Sequence, residues 1–309
     1  MDVLVEVVRS GLVESRHRGV AARVDADGAV LWSWGDPDTV IFPRSANKPF
    51  QALGLLRAGL PLDGAELALA TSSHSGEPFH LDAVRGILAR AGLDESALRT
   101  PPSYPIDPKE HAALLRAGGE KTPILMDCSG KHAAMLLTCV QNEWPVESYL
   151  DPEHPVQRVI TTTFAELTGA EPDVVGVDGC GAPLLATSVR RLAAGIARIM
   201  AGEPGSMERR LVDALLAHPD HLSGTRRDEQ RLMRAVPGLV AKAGAESVLV
   251  VGLPDGSAVA LKIEDGGTRP LFVAMHRVLE IAGVEAALLA ERPPVLGGGR
   301  PVGEVRPAF

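Results

Sequence analysis

The order of patterns along this chain constrains its fold most. Strand-like segments lie at both ends, and helical spacing fills the middle. Near the N-terminus VLVEVV runs apolar, and GVAARVDADGAVLWSWG reads as two strands around Asp27-Gly28, a dipeptide suited to tight hairpin turns. Near the C-terminus AESVLVVGL and GSAVALKIEDG are β-rich runs separated by Pro254-Asp255-Gly256. Between them EPFHLDAVRGILARAG, GKHAAMLLTCV, PVQRVITTTFAELTG and ATSVRRLAAGIARIMAG keep the helical period, and several such runs stop at Gly or before Pro. NKPFQALGLLRAG predicts a helix ending at Gly59, and ELALATSS a buried strand or short helix. A last helix over PLFVAMHRVLEIAG precedes the Pro/Gly-rich PPVLGGGRPVGEVRPAF, which reads as an extended arm.

Strands contributed from both ends imply an α/β (α+β) class. One antiparallel sheet is flanked by helices, and a mostly helical lobe is inserted in the middle. The expected organisation is a single domain, 1–309, with a sheet lobe of 1–77 and 236–309 and a helical lobe of 78–235. A doubly wound parallel sheet is not expected. No G-x-G-x-x-G follows a strand, no Walker A motif occurs, and the glycines at 297–299 lie in the tail.

Composition narrows the partners. Aromatic residues make up only 4%, too few for a base-stacking surface, and the net charge of −8 disfavours a phosphate backbone, so no nucleic-acid partner is expected. No apolar run reaches membrane-spanning length, and MDVLVEVVRSG lacks the pattern of a secretory signal. The 3 cysteines, Cys128, Cys139 and Cys180, do not make a disulfide framework. A cytoplasmic, reducing compartment is the expectation, which leaves thiolates available.

Four clusters and one lysine could carry chemistry. Arg44-Ser45-x-x-Lys48 opens a helical pattern, and residues three apart share a helix face. A serine needs an adjacent base to act as a nucleophile, and a neutral lysine can be that base. Pro49 fits only if this is the first helical turn. The same tetrapeptide also suits a capping serine followed by a solvated lysine. Thr71-Ser72-Ser73-His74-Ser75-Gly76-Glu77 suits a loop that approaches a ligand, or an N-cap at Ser75 or Gly76. Asp127-Cys128-Ser129-Gly130-Lys131-His132 and Val177-Asp178-Gly179-Cys180 each read as leading into a helix, whose N-terminus favours thiolate. Two thiolates and a third donor could hold Zn2+; buried structural cysteines are the alternative. Lys262 lies on a strand, either snorkelling at the surface or bringing a second ammonium near Lys48, which would favour a neutral amine on one of them. Cys139 reads as core. His80, His111, His154, His218, His221 and His276 are assigned no role.

Taken in order, PRSANKPFQA, SSHSGE, CSGKHAAML, VDGCGAP and ALKIEDG resemble the asparaginase II family of rhizobial-type L-asparaginases. That resemblance implies a fold like the serine β-lactamases and penicillin-binding proteins, a homodimer, and hydrolysis of L-asparagine to L-aspartate and ammonia. It implies Ser45 with Lys48 and Ser73 with Lys262 as two Ser-Lys pairs. Arg44 would hold a substrate carboxylate, and Asp178 and His132 would also serve substrate binding. Cys128, Lys131 and Cys180 would hold zinc, with the metal and the helix end depressing the lysine's pKa. Zinc would assist substrate positioning without acting as the hydrolytic Lewis acid. Asp127 stands where the family commonly has Asn. Two rivals remain on the same scaffold: a glutaminase or other amidase, and a non-catalytic zinc- or ligand-binding relative.

Overall fold

The computed structural model describes residues 1–286 and 292–309. In chain order it begins with β1 (Asp2–Arg9), β2 (Leu12–Val24), β3 (Val30–Trp34), β4 (Val40–Ile41), α1 (Lys48–Arg57), α2 (Gly64–Ala70) and α3 (Pro78–Arg90). Next come α4 (Pro108–Arg116), α5 (Ser129–Gln141), α6 (Pro155–Thr168), β5 (Val175–Val177), β6 (Pro183–Leu185), β7 (Thr187–Ser188) and α7 (Val189–Met200). The chain continues through α8 (Met207–Ala217), α9 (Pro219–Leu222), α10 (Asp228–Ala235), β8 (Val240–Gly244), β9 (Val248–Gly252) and β10 (Ala258–Ile263). It ends with α11 (Leu271–Ile281), β11 (Pro294–Gly297) and β12 (Arg300–Pro307). Two compact units result, one of residues 1–46, 187–200 and 231–309, the other of 47–186 and 201–230.

The first unit is built on an eight-stranded sheet in the order β11-β12-β1-β2-β10-β9-β8, with β3 also paired to β2. Every pairing is antiparallel. The Asp27-Gly28 turn joins β2 to β3, with Gly28 at φ +89°. The expected extended arm is instead a hairpin, β11–β12, and β12 lies against β1. Helix α7 contacts β2, β9 and β10, so this helix from the middle of the sequence belongs with the sheet. One position shows how tightly the ladder is closed. A Cβ at Gly19 would lie 2.3 Å from the Lys262 carbonyl oxygen and 2.6 Å from Leu4 Cδ1.

The second unit is mostly helical and includes α1 and α2, upstream of residue 78. Helix α1 has no polar face to speak of. Its residues from Lys48 to Leu56 are all buried, and it packs against α6, α8 and α5. The segment ELALATSS resolves as helix α2 followed by a loop. Helix α5 is buried continuously from Ser129 to Cys139, which places Cys139 in the core as expected. Gly130 lets α5 meet α2, since a Cβ there would sit 2.7 Å from the Leu69 carbonyl oxygen. No helix among the described residues is long and apolar enough to cross a membrane.

The Gly19 contact sets a stability test. Gly19→Ala must displace backbone and should cost about 2 kcal/mol or more in urea unfolding. Gly86→Ala, in α3 with only the Glu66 carboxylate 3.9 Å away, should be neutral or stabilising.

Candidate active site

In the sheet unit, Ser45 sits in a constrained turn. The Ala46 N–H donates to Pro43 O at 3.1 Å, and Arg44 between them adopts φ +51°. A non-glycine residue in the left-handed region stores strain, and such strain concentrates at functional sites. The turn opens a 3-10 segment, Arg44–Asn47, that runs directly into α1 at Lys48. Pro49 is therefore in the first turn of α1, as its chemistry requires. Strand β8 packs directly on this turn: a Cβ at Gly244 would meet Pro43 O at 2.5 Å and Ser45 N at 3.2 Å.

That packing identifies a residue that sequence reasoning passed over. Lys242 is two residues before Gly244, and residues two apart on a strand share a face. Lys242 is thus on the face of β8 that meets the Ser45 turn, with only 2% of its surface exposed. Its Nζ donates to Ala243 O at 2.7 Å. A lysine inside the apolar run LVAKAG was the available signal. Lys262, by contrast, lies on β10, two strands in from β8, and is only part-buried. Its Nζ donates to Glu246 O at 2.5 Å and Ile263 O at 2.6 Å, fastening the β8–β9 turn. Burial lowers its pKa, against the pull of Glu246, Asp265 and Glu264.

In the helical unit, Lys48 is 1% exposed. Its Nζ donates to Ser73 Oγ at 3.0 Å and also to Ser72 O, and lies 3.9 Å from Asp127 Oδ2. Of the three serines in this loop, Ser73 is the one whose hydroxyl meets a lysine amine. Ser75 Oγ donates to Ser223 O at 3.0 Å, and Ser72 Oγ is buried without a hydrogen-bond partner. The loop is fixed from several sides: the Ser73 N–H donates to Leu222 O, that of His74 to Asp127 O, and that of Ser75 to Ser223 O. The residue capping α3 is Glu77, not Ser75 or Gly76. Glu77 in turn accepts from Thr225 N at 2.9 Å and Thr225 Oγ1 at 2.6 Å.

His74 completes this loop in one protonation state. Ser129 Oγ spends its proton on Ile124 O at 2.8 Å and can therefore only accept from His74 Nε2, also at 2.8 Å. On the other side the Gly76 N–H donates to His74 Nδ1 at 3.1 Å. A second proton on Nδ1 would face that N–H. Burial, aided by repulsion from His80, pushes the His74 pKa down to about 3. His80 is pushed down to about 4, mainly by burial.

Beyond Asp127 lies the cysteine cluster. Cys128 is the N-cap residue of α5, as expected, with its Sγ 3.8 Å from Asp127 Oδ1. Cys180 does not precede a helix. It sits in the turn between β5 and β6, closed by Asp178 N–H donating to Ala182 O and by Gly181 at φ +88°. Its acidity therefore has another origin. A hydrogen bond from the Cys128 thiol, then Lys131 and His132, lower the Cys180 pKa strongly, against burial. Cys128 is raised correspondingly by that bond and by burial. Lys131 Nζ donates to Cys180 Sγ at 3.2 Å, and Asp178 Oδ2 lies 3.6 Å from the same sulfur. Burial works against the Lys131 charge, but Cys180, Cys128 and Asp178 outweigh it and raise its pKa. The depression expected from a helix end is overridden by sulfur. His132, expected to meet substrate, is 0% exposed, with its Nδ1 2.8 Å from Tyr149 Oη.

Among the described residues, no three His, Cys, Asp or Glu side chains group to hold a metal ion. Two cysteines and a lysine do converge, and thiolate with amine suits a thiophilic cation such as Zn2+. The amine must first lose the proton that Cys180 now holds in place.

A family model described as L-asparaginase II matches residues 5–307. A search of curated proteins returned no match. Among solved structures, native Mglu is similar at 15% identity and TM-score 0.49, over 91% of this chain and 69% of that one. A β-lactamase from Mycobacterium bovis is similar at 16% identity and TM-score 0.47, over 85% and 94%. A β-lactamase described as putative, from Bacteroides dorei, is similar at 13% identity and TM-score 0.40, over 85% and 93%.

The buried histidines set a pH dependence. Unfolded histidines take up protons below about pH 6.5, whereas folded His74 and His80 do so only near 3 and 4. Their contribution is complete above the unfolded value and is lost as pH falls toward the folded ones. Each adds a slope of about 1.4 kcal/mol per pH unit in that window. Urea unfolding between about pH 4.5 and 6 should give a slope smaller by one proton in His74→Leu than in the unmodified chain. An equal slope would mean that His74 is protonated in the folded state.

Proposed function

The chain belongs to the L-asparaginase II family, an amide-hydrolysing lineage, and from that premise we propose that it is an L-asparaginase. The observation that carries the reading is the buried Lys48 amine 3.0 Å from the Ser73 hydroxyl, in a loop fixed from several sides. A serine and a lysine within hydrogen-bond reach can pass a proton between them, the relay that a neighbouring nucleophilic serine needs.

In the proposed reaction Ser45 Oγ attacks the side-chain amide carbon of L-asparagine. Its strained turn presents the hydroxyl, and backbone N–H groups lining the site would stabilise the oxyanion. Lys48, three residues on in the same helical run, takes the serine proton in its neutral form. Lys48, with Ser73 as its hydrogen-bond partner for proton relay, then returns that proton to the departing nitrogen. The C–N bond breaks, ammonia leaves, and water then cleaves the Ser45 ester to give L-aspartate. Lys242, on the strand that packs against the Ser45 turn, takes the place first given to Lys262 as the second lysine. The planar fork of Arg44 suits the α-carboxylate. Zn2+ held by Cys128, Lys131 and Cys180 would supply a Lewis acid for positioning the substrate's α-groups.

Ammonia release from asparagine and glutamine, measured side by side, tests the substrate. Faster turnover of glutamine would replace the asparaginase reading with a glutaminase. Ser45→Ala should lower kcat by about 1000-fold or more, and Lys242→Met should act comparably. Lys262→Met should cost far less, through a looser β8–β9 turn. Activity largely retained in Ser45→Ala would move the nucleophile to Ser73.

A further inference from the structure

Two hydrogen bonds lead from the backbone through Tyr149 to His132, whose ring neighbours the Cys180 sulfur. The Arg99 N–H donates to Tyr149 Oη at 3.0 Å, and Tyr149 Oη is 2.8 Å from His132 Nδ1. Both side chains are 0% exposed, so their polar atoms must be satisfied within the protein. Oη already accepts from Arg99, and its own proton has His132 Nδ1 as acceptor. The imidazole proton is then on Nε2. That atom is buried without a hydrogen-bond partner, and Cys180 and Lys131 both act on the ring. Gln157 Nε2 donates to Tyr149 O at 2.7 Å, fixing the start of the chain. Lys131, one residue before His132, reaches the same sulfur at 3.2 Å.

We propose that Tyr149 and His132 are positioning residues for Cys180. Tyr149 fixes the tautomer and ring orientation of His132. His132 Nε2–H then donates to the Cys180 sulfur and directs its remaining lone pairs toward a thiophilic divalent cation shared with Cys128 and Lys131. The inference rests on the zinc reading of those three residues and adds what orients one of them. Partners of this kind govern metal affinity nearly as strongly as the ligands themselves.

The test uses the full chain stripped of metal, with Zn2+ titrated in competition against a chromophoric chelator and Co2+ followed by its thiolate charge-transfer band. His132→Phe should weaken Zn2+ binding about 10- to 100-fold. It should also move the Co2+ band to longer wavelength, because an N–H bond to sulfur withdraws electron density from it. His132→Gln keeps an N–H donor and should restore affinity and band position toward those of the unmodified chain. Tyr149→Phe should weaken binding while leaving His132 in place, and it serves where His132→Phe does not fold. Unmodified affinity and band in both His132→Phe and Tyr149→Phe would overturn the proposal alone. An unmodified chain that binds neither Zn2+ nor Co2+ would overturn the metal reading beneath it.

Discussion

Two lysine amines taken almost wholly out of water govern the helical unit. Lys48 and Lys131 are each 1% exposed, and an unpartnered ammonium at such a depth would cost several kcal/mol. Each is answered by a loop. The α2–α3 loop offers Lys48 the Ser72 carbonyl and the Ser73 hydroxyl, and the β5–β6 turn offers Lys131 the Cys180 sulfur. The amines therefore hold in place the segments that carry the candidate chemistry. Their own positions depend on close helix packing, with Gly130 of α5 set against the Leu69 carbonyl.

Asp127 joins these two arrangements. Its carbonyl accepts the His74 N–H, one carboxylate oxygen lies 3.9 Å from Lys48 Nζ, and the other lies 3.8 Å from Cys128 Sγ. An asparagine could keep the backbone contact but not the charge. The serine–lysine pair and the cysteine cluster are thus electrostatic neighbours through one side chain.

What could be read from the chain alone was local. The Asp27-Gly28 hairpin, the first-turn placement of Pro49, Cys128 at the start of α5 and the burial of Cys139 each follow from chemistry within a few residues. What escaped depends on register and on partners distant in sequence. Lys242 and Lys262 both look like lysines on apolar strands, and only the packing of Gly244 on the Ser45 turn separates them. The dipeptide Gly179-Cys180 resembles a helix entry until β5 pairs with β6 and makes it a turn. The Pro/Gly-rich tail has too few helix formers to suggest a helix, yet nothing local in it announces a pairing with β1.

The pairing of β1 with β12 also bears on how the chain reaches this state. Val5 lies opposite Pro307 and Arg9 opposite Gly303, so the first strand waits for nearly the last residues before that side of it is filled. Residues 47–186 form most of the helical unit and emerge from the ribosome well before β12 exists. Sheet closure between such distant segments carries a large loop-entropy cost and belongs to the slow end of folding. Until then β1 offers an unpaired edge, the kind of surface on which nascent chains associate wrongly.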